Sequence, residues 1–261
     1  MPEVVEQAAL QLREAASSGV PCAPVRDVLG TTDDLDLAYE VARHNVDLDV
    51  AAGRRVSGRK IGLTSKVVQE AFGVFEPDYG VLFSDMCVGD GVDLPADRLM
   101  QPRAEAEVAL VLGRDLDLGT HSVIDVIDAV AYALPSLEIV DSRIAGWDLT
   151  IVDTVADGGS SALYVVGTRP ISLGQIDLVD LPMEMTINGE TASTGTGGAC
   201  LGNPLNAAVW LADEMCRRDD PIRAGECILT GSLGPMVPIA PGDEIVADFG
   251  PLGRVRTRYP S

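Results

Sequence analysis

Two carboxylates, Glu105 and Glu107, stand two residues apart in QPRAEAEVALVL (101–112), a segment otherwise rich in apolar residues. On a strand, residues i and i+2 project to the same face, so the two charges lie side by side. Burying such a pair costs several kcal/mol or drives the carboxyl pKa values upward, and a divalent cation between them removes the conflict. For Glu-x-Glu alone, a solvated edge strand with both side chains in water is the commoner arrangement. A second apolar segment, YALPSLEIVDSR (132–143), carries Glu138 and Asp141. Pro135 is expected to mark the exit from a helix, with Leu137–Val140 a strand. Either acid suits a third ligand by spacing; Glu138, flanked by apolar residues, is the harder to explain without a metal. Three carboxylates with no histidine beside them form a hard oxygen site for Mg²⁺ or Mn²⁺.

Candidate proton carriers lie elsewhere in the chain. Lys60, in GRKIGLTS (58–65), sits between a strand and a glycine turn. A lysine beside a metal and partly desolvated would have a lowered pKa and serve as acid or base. Asp78, in EPDYGVLF (76–83), is either a second such group or an organiser of its turn. Asp157, Ser160 and Ser161, in DTVADGGSSALYV (153–165), carry the same ambiguity, with turn chemistry the default.

Composition excludes several classes. The 261 residues include 19 basic and 40 acidic side chains, a net charge of −21, which repels nucleic acid and anionic lipid surfaces. Lysine occurs only at Lys60 and Lys66. Five scattered cysteines without a Cys-x-x-Cys pair suggest neither disulfides nor zinc, and point to a reducing, cytoplasmic setting. His44 and His121 sit in no motif. No apolar run reaches the ~18 residues of a membrane span, and the N-terminus reads as an amphipathic helix rather than a leader. The Gly-rich TASTGTGGACLGNP (191–204) lacks the Gly-Lys-Ser/Thr ending of a phosphate loop.

The elements that must position these groups follow from periodicity. Helices are expected over 3–17, from 35 onward, over SVIDVIDAVAYAL (122–134) and over NPLNAAVWLADEMCRR (203–218), the last with Asn203 as N-cap and Pro204 at the first position. A strand is expected in RVSGRKIGLTS (55–65), followed by a short helix capped at Thr64 or Ser65 and stopped by Gly73. From about residue 80 short strands dominate. The class is α+β: a helical N-terminal part, 1–75, and a β-rich metal-binding catalytic part, 76–261.

Seven blocks in order resemble the 2-hydroxypenta-2,4-dienoate hydratases (2-keto-4-pentenoate hydratases) of the fumarylacetoacetate hydrolase superfamily. They are GRKIGLTS, EPDYGVLFSDM, QPRAEAEVALVL, LPSLEIVDSRI, IVDTVADGGSS, GACLGNPLNAAVWLA and ILTGSLGPMVPIAPGD, lying between residues 58 and 243, and the resemblance is dense over roughly residues 58 to 258 and loose over the N-terminal helices. Each block is weak alone; their order is specific to the superfamily. The resemblance implies a mixed β-barrel or roll flanked by helices, a homo-oligomer, and one Mg²⁺ or Mn²⁺ held by Glu105, Glu107 and Glu138. It also matches Lys60 and Asp78 to the active-site lysine and aspartate. The implied reaction is hydration of a 2-hydroxy-2,4-dienoate to a 4-hydroxy-2-oxo acid in aromatic or steroid ring breakdown, with Ser160 a candidate to hold the substrate carboxylate. The 4-oxalocrotonate decarboxylases share the metal site and the lysine and are the nearest alternative. A catalytically silent metal-binding subunit is a second. One departure from the hydratase pattern is Asn203, where a histidine is more usual.

Overall fold

Helix α1 (Glu3–Ser18) buries Val5, Ala8, Ala9, Leu12 and Ala15 on one stripe and stops at Gly19, whose φ of 67° places it in the left-handed region suited to glycine. A one-turn helix α2 (Arg26–Leu29) follows. Helix α3 (Leu35–Ala51) is capped by Asp34, whose side chain accepts from the Leu37 N–H, and buries Ala38, Tyr39 and Val41. The computed structural model describes residues 2–65, 69–70 and 73–261. The short helix expected between Thr64 and Gly73 falls in good part outside the described residues.

Twelve strands follow among the described residues: β1 (Val56–Gly62), β2 (Asp78–Phe83), β3 (Cys87–Gly89), β4 (Arg103–Leu112), β5 (Val130–Val140), β6 (Ser161–Val166), β7 (Pro182–Ile187), β8 (Glu190–Thr196), β9 (Cys227–Ser232), β10 (Val237–Pro238), β11 (Glu244–Asp248) and β12 (Arg254–Arg258). Eight form one sheet in the order β2-β1-β9-β4-β5-β6-β3, with β10 also pairing to β4; β12-β11-β7-β8 form a second. The large sheet is mixed, because β1–β9 and β3–β6 are parallel while its other pairs are antiparallel. The fold is α+β, as expected. The large ladder ends at β2 and β3, and no closed barrel is found among the described residues.

Three further α-helices lie among the described residues: α4 (Val123–Ala129), α5 (Ile151–Ala156) and α6 (Pro204–Arg217). Two of them correct the expectation from sequence. The helix expected over 122–134 ends at Ala129, and Val130 begins β5, so Pro135 lies within a strand rather than at a helix exit. The apolar residues of 130–134 fit either period, and pairing with Ala109–Leu112 of β4 decides for strand. Pro135 falls just past the last pair with β6, Ser136–Val166, at the margin of that ladder where a missing N–H is tolerated. Helix α5 was not expected at all; Thr150 and Asp153 form its capping box.

The main core lies between the two sheets and α6, with Leu110, Leu137, Leu211 and Phe249 among its buried members. A second cluster joins Val5, Leu12 and Tyr39 of the N-terminal helices to Val152 and Val155 of α5. That helix leads into the turn before β6, so the N-terminal helices brace one wall of the site described below.

Candidate metal and proton-transfer site

Strand β4 has two unlike faces. Ala104, Ala106, Val108, Leu110 and Leu112 enter the main core, while Arg103, Glu105 and Glu107 project to the other side. Glu105 stands directly opposite Glu138 on β5, and Glu107 opposite Ser136, so pairing register brings the third carboxylate to the first two. Oxygen atoms of Glu105, Glu107 and Glu138 lie within 4.8 Å of one another. Glu107 is 1 % and Glu138 0 % exposed; Glu105 is half-buried. Gly231 on β9 donates its N–H to Glu107 Oε2 at 2.8 Å, from a φ of 103° that a side chain would strain. Asp141, equally plausible by spacing, is engaged elsewhere: its carboxylate accepts the N–H groups of Met100 (2.6 Å) and Gln101 (2.7 Å).

Lys60 and Asp78 reach the same face from β1 and β2. The Lys60 Nζ lies 3.3 Å from Glu138 Oε2. Its stem runs between glycines: side chains built at Gly80 and Gly159 would come within 3.2 Å of its Cγ and 3.1 Å of its Cδ. Gly62 pairs with Asp78, and a methyl built on it would strike Asp78 Oδ1 and sit 3.4 Å from Lys60 Nζ. The two groups therefore converge on the space left by the missing Gly62 side chain. Asp78 is buried, and neither of its oxygens has a hydrogen-bond partner among the described residues; the same holds for Glu138 apart from the Lys60 ion pair.

Electrostatics follows from this crowding. Burial pushes the Glu105 carboxyl up to about 7, opposed by Lys60 and reinforced by Glu138. Burial likewise raises Glu107, helped by the charges of Glu138 and Glu105, and raises Glu138 and Asp78 against the pull of Lys60. Burial acts to lower Lys60, yet the carboxylates of Glu138, Asp78, Glu105 and Glu107 outweigh it and hold the ammonium above its ordinary value. The downward shift expected for Lys60 is thus not a property of the chain alone. It requires a cation to offset those four carboxylates.

Oxygen-only donors, like charges packed together and unpartnered buried carboxylate atoms fit a hard divalent ion. A carboxyl whose folded pKa exceeds its unfolded value takes up a proton on folding. Its contribution to stability is present at low pH and is lost as pH rises through the folded value. A bound cation reverses this by competing with those protons. The melting temperature with Mg²⁺ minus that with EDTA is therefore expected to grow as pH rises through about 7, reaching about 5–10 °C at a hundredfold excess over Kd. A difference independent of pH between 5 and 8 would contradict it.

The turn before β6 is built from three consecutive residues with positive φ, Gly158, Gly159 and Ser160 (63°, 65° and 53°). It is anchored by buried Asp157, which pairs with the Arg143 guanidinium and accepts from Ser142 and Ser160 Oγ at 3.0 and 2.8 Å. The Ser160 hydroxyl is thus already engaged with Asp157. Its neighbour Ser161 has a buried Oγ without a hydrogen-bond partner among the described residues and borders Glu138, a placement that the dipeptide Ser-Ser does not reveal. The glycines at 62, 80 and 159 were likewise missed as site residues. Gly62→Ala is expected to lower kcat about 10²-fold by displacing Asp78 or Lys60 by an ångström or so, with the fold intact by circular dichroism. An unchanged kcat would mean that the pair does not act from these positions.

Residues 60–259 match the family model described as fumarylacetoacetate (FAA) hydrolase C-terminal. The chain belongs to the fumarylacetoacetate hydrolase family. Within that family it is 52 % identical over 254 residues to 2-keto-4-pentenoate hydratase 1 of Dechloromonas aromatica (strain RCB), covering 97 % of this chain and 96 % of the relative. It is 41 % identical to 2-hydroxyhexa-2,4-dienoate hydratase of Comamonas testosteroni, covering 92 % of each. Among solved structures, 4-oxalocrotonate decarboxylase from Pseudomonas putida G7, complexed with magnesium and adipate, superposes with a TM-score of 0.91 at 33 % identity over 97 % of both chains.

Proposed function

We propose that this chain is a hydro-lyase that adds water to 2-hydroxypenta-2,4-dienoate, the enol form of 2-keto-4-pentenoate, giving 4-hydroxy-2-oxopentanoate in aromatic ring breakdown. The observation that carries this reading is the convergence of Lys60 and Asp78 beside the three carboxylates, in a chain half identical to 2-keto-4-pentenoate hydratases. Glu105, Glu107 and Glu138 are the residues that would hold Mg²⁺ or Mn²⁺, and that ion would supply Lewis-acid polarisation of the substrate's 2-oxygen. Lys60 moves the proton of ketonisation: the 2-hydroxyl proton is lost, C5 gains one, and the product is a conjugated 2-oxo-3-enoate. Asp78 then orients water at C4 and takes its proton as the C–O bond forms, while C3 is protonated. Asp78 suits this task because burial leaves its carboxylate a stronger base than an exposed one. For Ser160 to hold the substrate carboxylate, its hydroxyl would have to leave Asp157.

We read the large sheet as roll-like and place the enzyme, with its five unbridged cysteines, in a reducing cytoplasm. A 2-oxo acid decarboxylase is the second reading, favoured by the likeness to 4-oxalocrotonate decarboxylase. Loss of CO₂ from a keto acid needs no second proton carrier at a water site, whereas hydration does, and Asp78 is such a carrier. A silent metal-binding subunit would need neither Lys60 nor Asp78.

The test is the decay of freshly generated dienol absorbance with Mg²⁺ or with EDTA. Metal-dependent decay beyond the spontaneous rate is expected. No acceleration under either condition would overturn the enzyme reading.

A further inference from the structure

One cation beside the triad has no role in the scheme above. Arg103 begins β4 two residues before Glu105, on the face that carries Glu105 and Glu107, and Glu105 and Arg103 feel each other's charge. Its guanidinium carbon lies 4.1 Å over the centre of the Trp147 ring. Trp147 is itself fixed: its indole N–H donates to the Gln101 carbonyl at 3.0 Å, and it adopts a φ of 59° rarely accepted by a side chain of its size. Gln101 ties the same loop down through the carbonyls of Ser142 and Ile144 and the N–H of Gly146. The chain thus builds a rigid aromatic platform under one arginine.

That arginine makes no ion pair or side-chain hydrogen bond among the described residues, although acidic side chains outnumber basic ones 40 to 19. Arg26, Arg59 and Arg143, by contrast, are each paired with carboxylates. Stacking occupies the face of a guanidinium and leaves the N–H groups at its edge available to grip a carboxylate with two parallel hydrogen bonds. We infer that Arg103, held flat by Trp147, is the specificity residue that takes the carboxylate of the substrate beside the three glutamates. This rests on the dienoate reading for the identity of the ligand. It also explains how an anionic substrate is accepted by a chain of net charge −21.

The experiment uses the full chain loaded with Mg²⁺ and two probes that need no turnover, 2-oxopentanoate and 2-oxopentanamide, with binding measured by calorimetry. Arg103→Gln is expected to weaken 2-oxopentanoate about 10- to 100-fold while leaving the amide within about twofold, the range lost with a charge-assisted pair. For the dienoate, KM rises by a similar factor and kcat falls less. Arg103→Lys keeps the charge but not the fork, so it recovers part of the loss; it also serves if the Gln variant fails to fold. Equal weakening of acid and amide, no weakening in either variant, or no binding of 2-oxopentanoate to the wild type would overturn the assignment. If the wild type binds 2-oxopentanoate with this dependence on Arg103 yet turns over no dienoate, the hydratase reading fails and the anion site stands.

Discussion

Glu107→Gln is expected to abolish metal-dependent turnover while leaving the fold intact. The substitution keeps shape, and an amide oxygen can still accept the Gly231 N–H at the position now held by Glu107 Oε2. What is lost is one of three negative charges whose oxygens lie within 4.8 Å. Outer partners of metal ligands typically cost 10–100-fold when removed, so loss of a ligand is expected to exceed about 10²-fold in affinity and rate. The sign reverses for stability. Without metal, Glu107 is repelled by Glu138 and Glu105 and is buried at a cost, so the Gln variant in EDTA is expected to melt above the wild type at pH 8. Added Mg²⁺ then raises the melting temperature of the wild type and not of the variant. Retained turnover with wild-type metal affinity would remove Glu107 from the ligand set.

Asp78→Asn is expected to divide the reaction. An amide cannot take a proton from water, so hydration falls about 10²- to 10⁴-fold, the usual contribution of a positioned base. Ketonisation, assigned to Lys60, falls much less, and the 2-oxo-3-enoate accumulates where the wild type shows none. Stopped-flow absorbance separates dienol from enone, and the ratio of the two rates is the readout. Full hydratase rate in this variant would return Asp78 to the status of a turn residue. Because removing this carboxylate also takes one negative neighbour from Lys60, its ammonium is expected to titrate lower in the variant.

The triad was legible because two independent periodicities point the same way. Alternation along β4 puts Glu105 and Glu107 on one face, and a carboxylate inside Leu-Glu-Ile-Val has no water to meet. What no single stretch contains is the register that sets Glu138 opposite Glu105, or the use of Asp141 as an acceptor for Met100 and Gln101. Residues 130–134 show the limit of local reading, since their apolar pattern serves helix and strand alike until β4 is laid beside them. Lys60 illustrates a different gap. Its depth comes from glycines at 80 and 159, on separate elements, and its charge state from carboxylates on three other strands. Arg103 was passed over as the residue before a more conspicuous pair. Only the Trp147 ring beneath it makes its lack of a partner among the described residues notable.

The measurement that bears most directly on the hydratase assignment is product identity. The Mg²⁺-loaded protein would be given ¹³C-labelled 2-hydroxypenta-2,4-dienoate and, separately, 4-oxalocrotonate, and each reaction followed by NMR. The expected result is 4-hydroxy-2-oxopentanoate from the first, abolished by EDTA, and no CO₂ from the second. Release of CO₂ from 4-oxalocrotonate, with the dienoate unchanged beyond its spontaneous ketonisation, would contradict the account and move the chain to the decarboxylases.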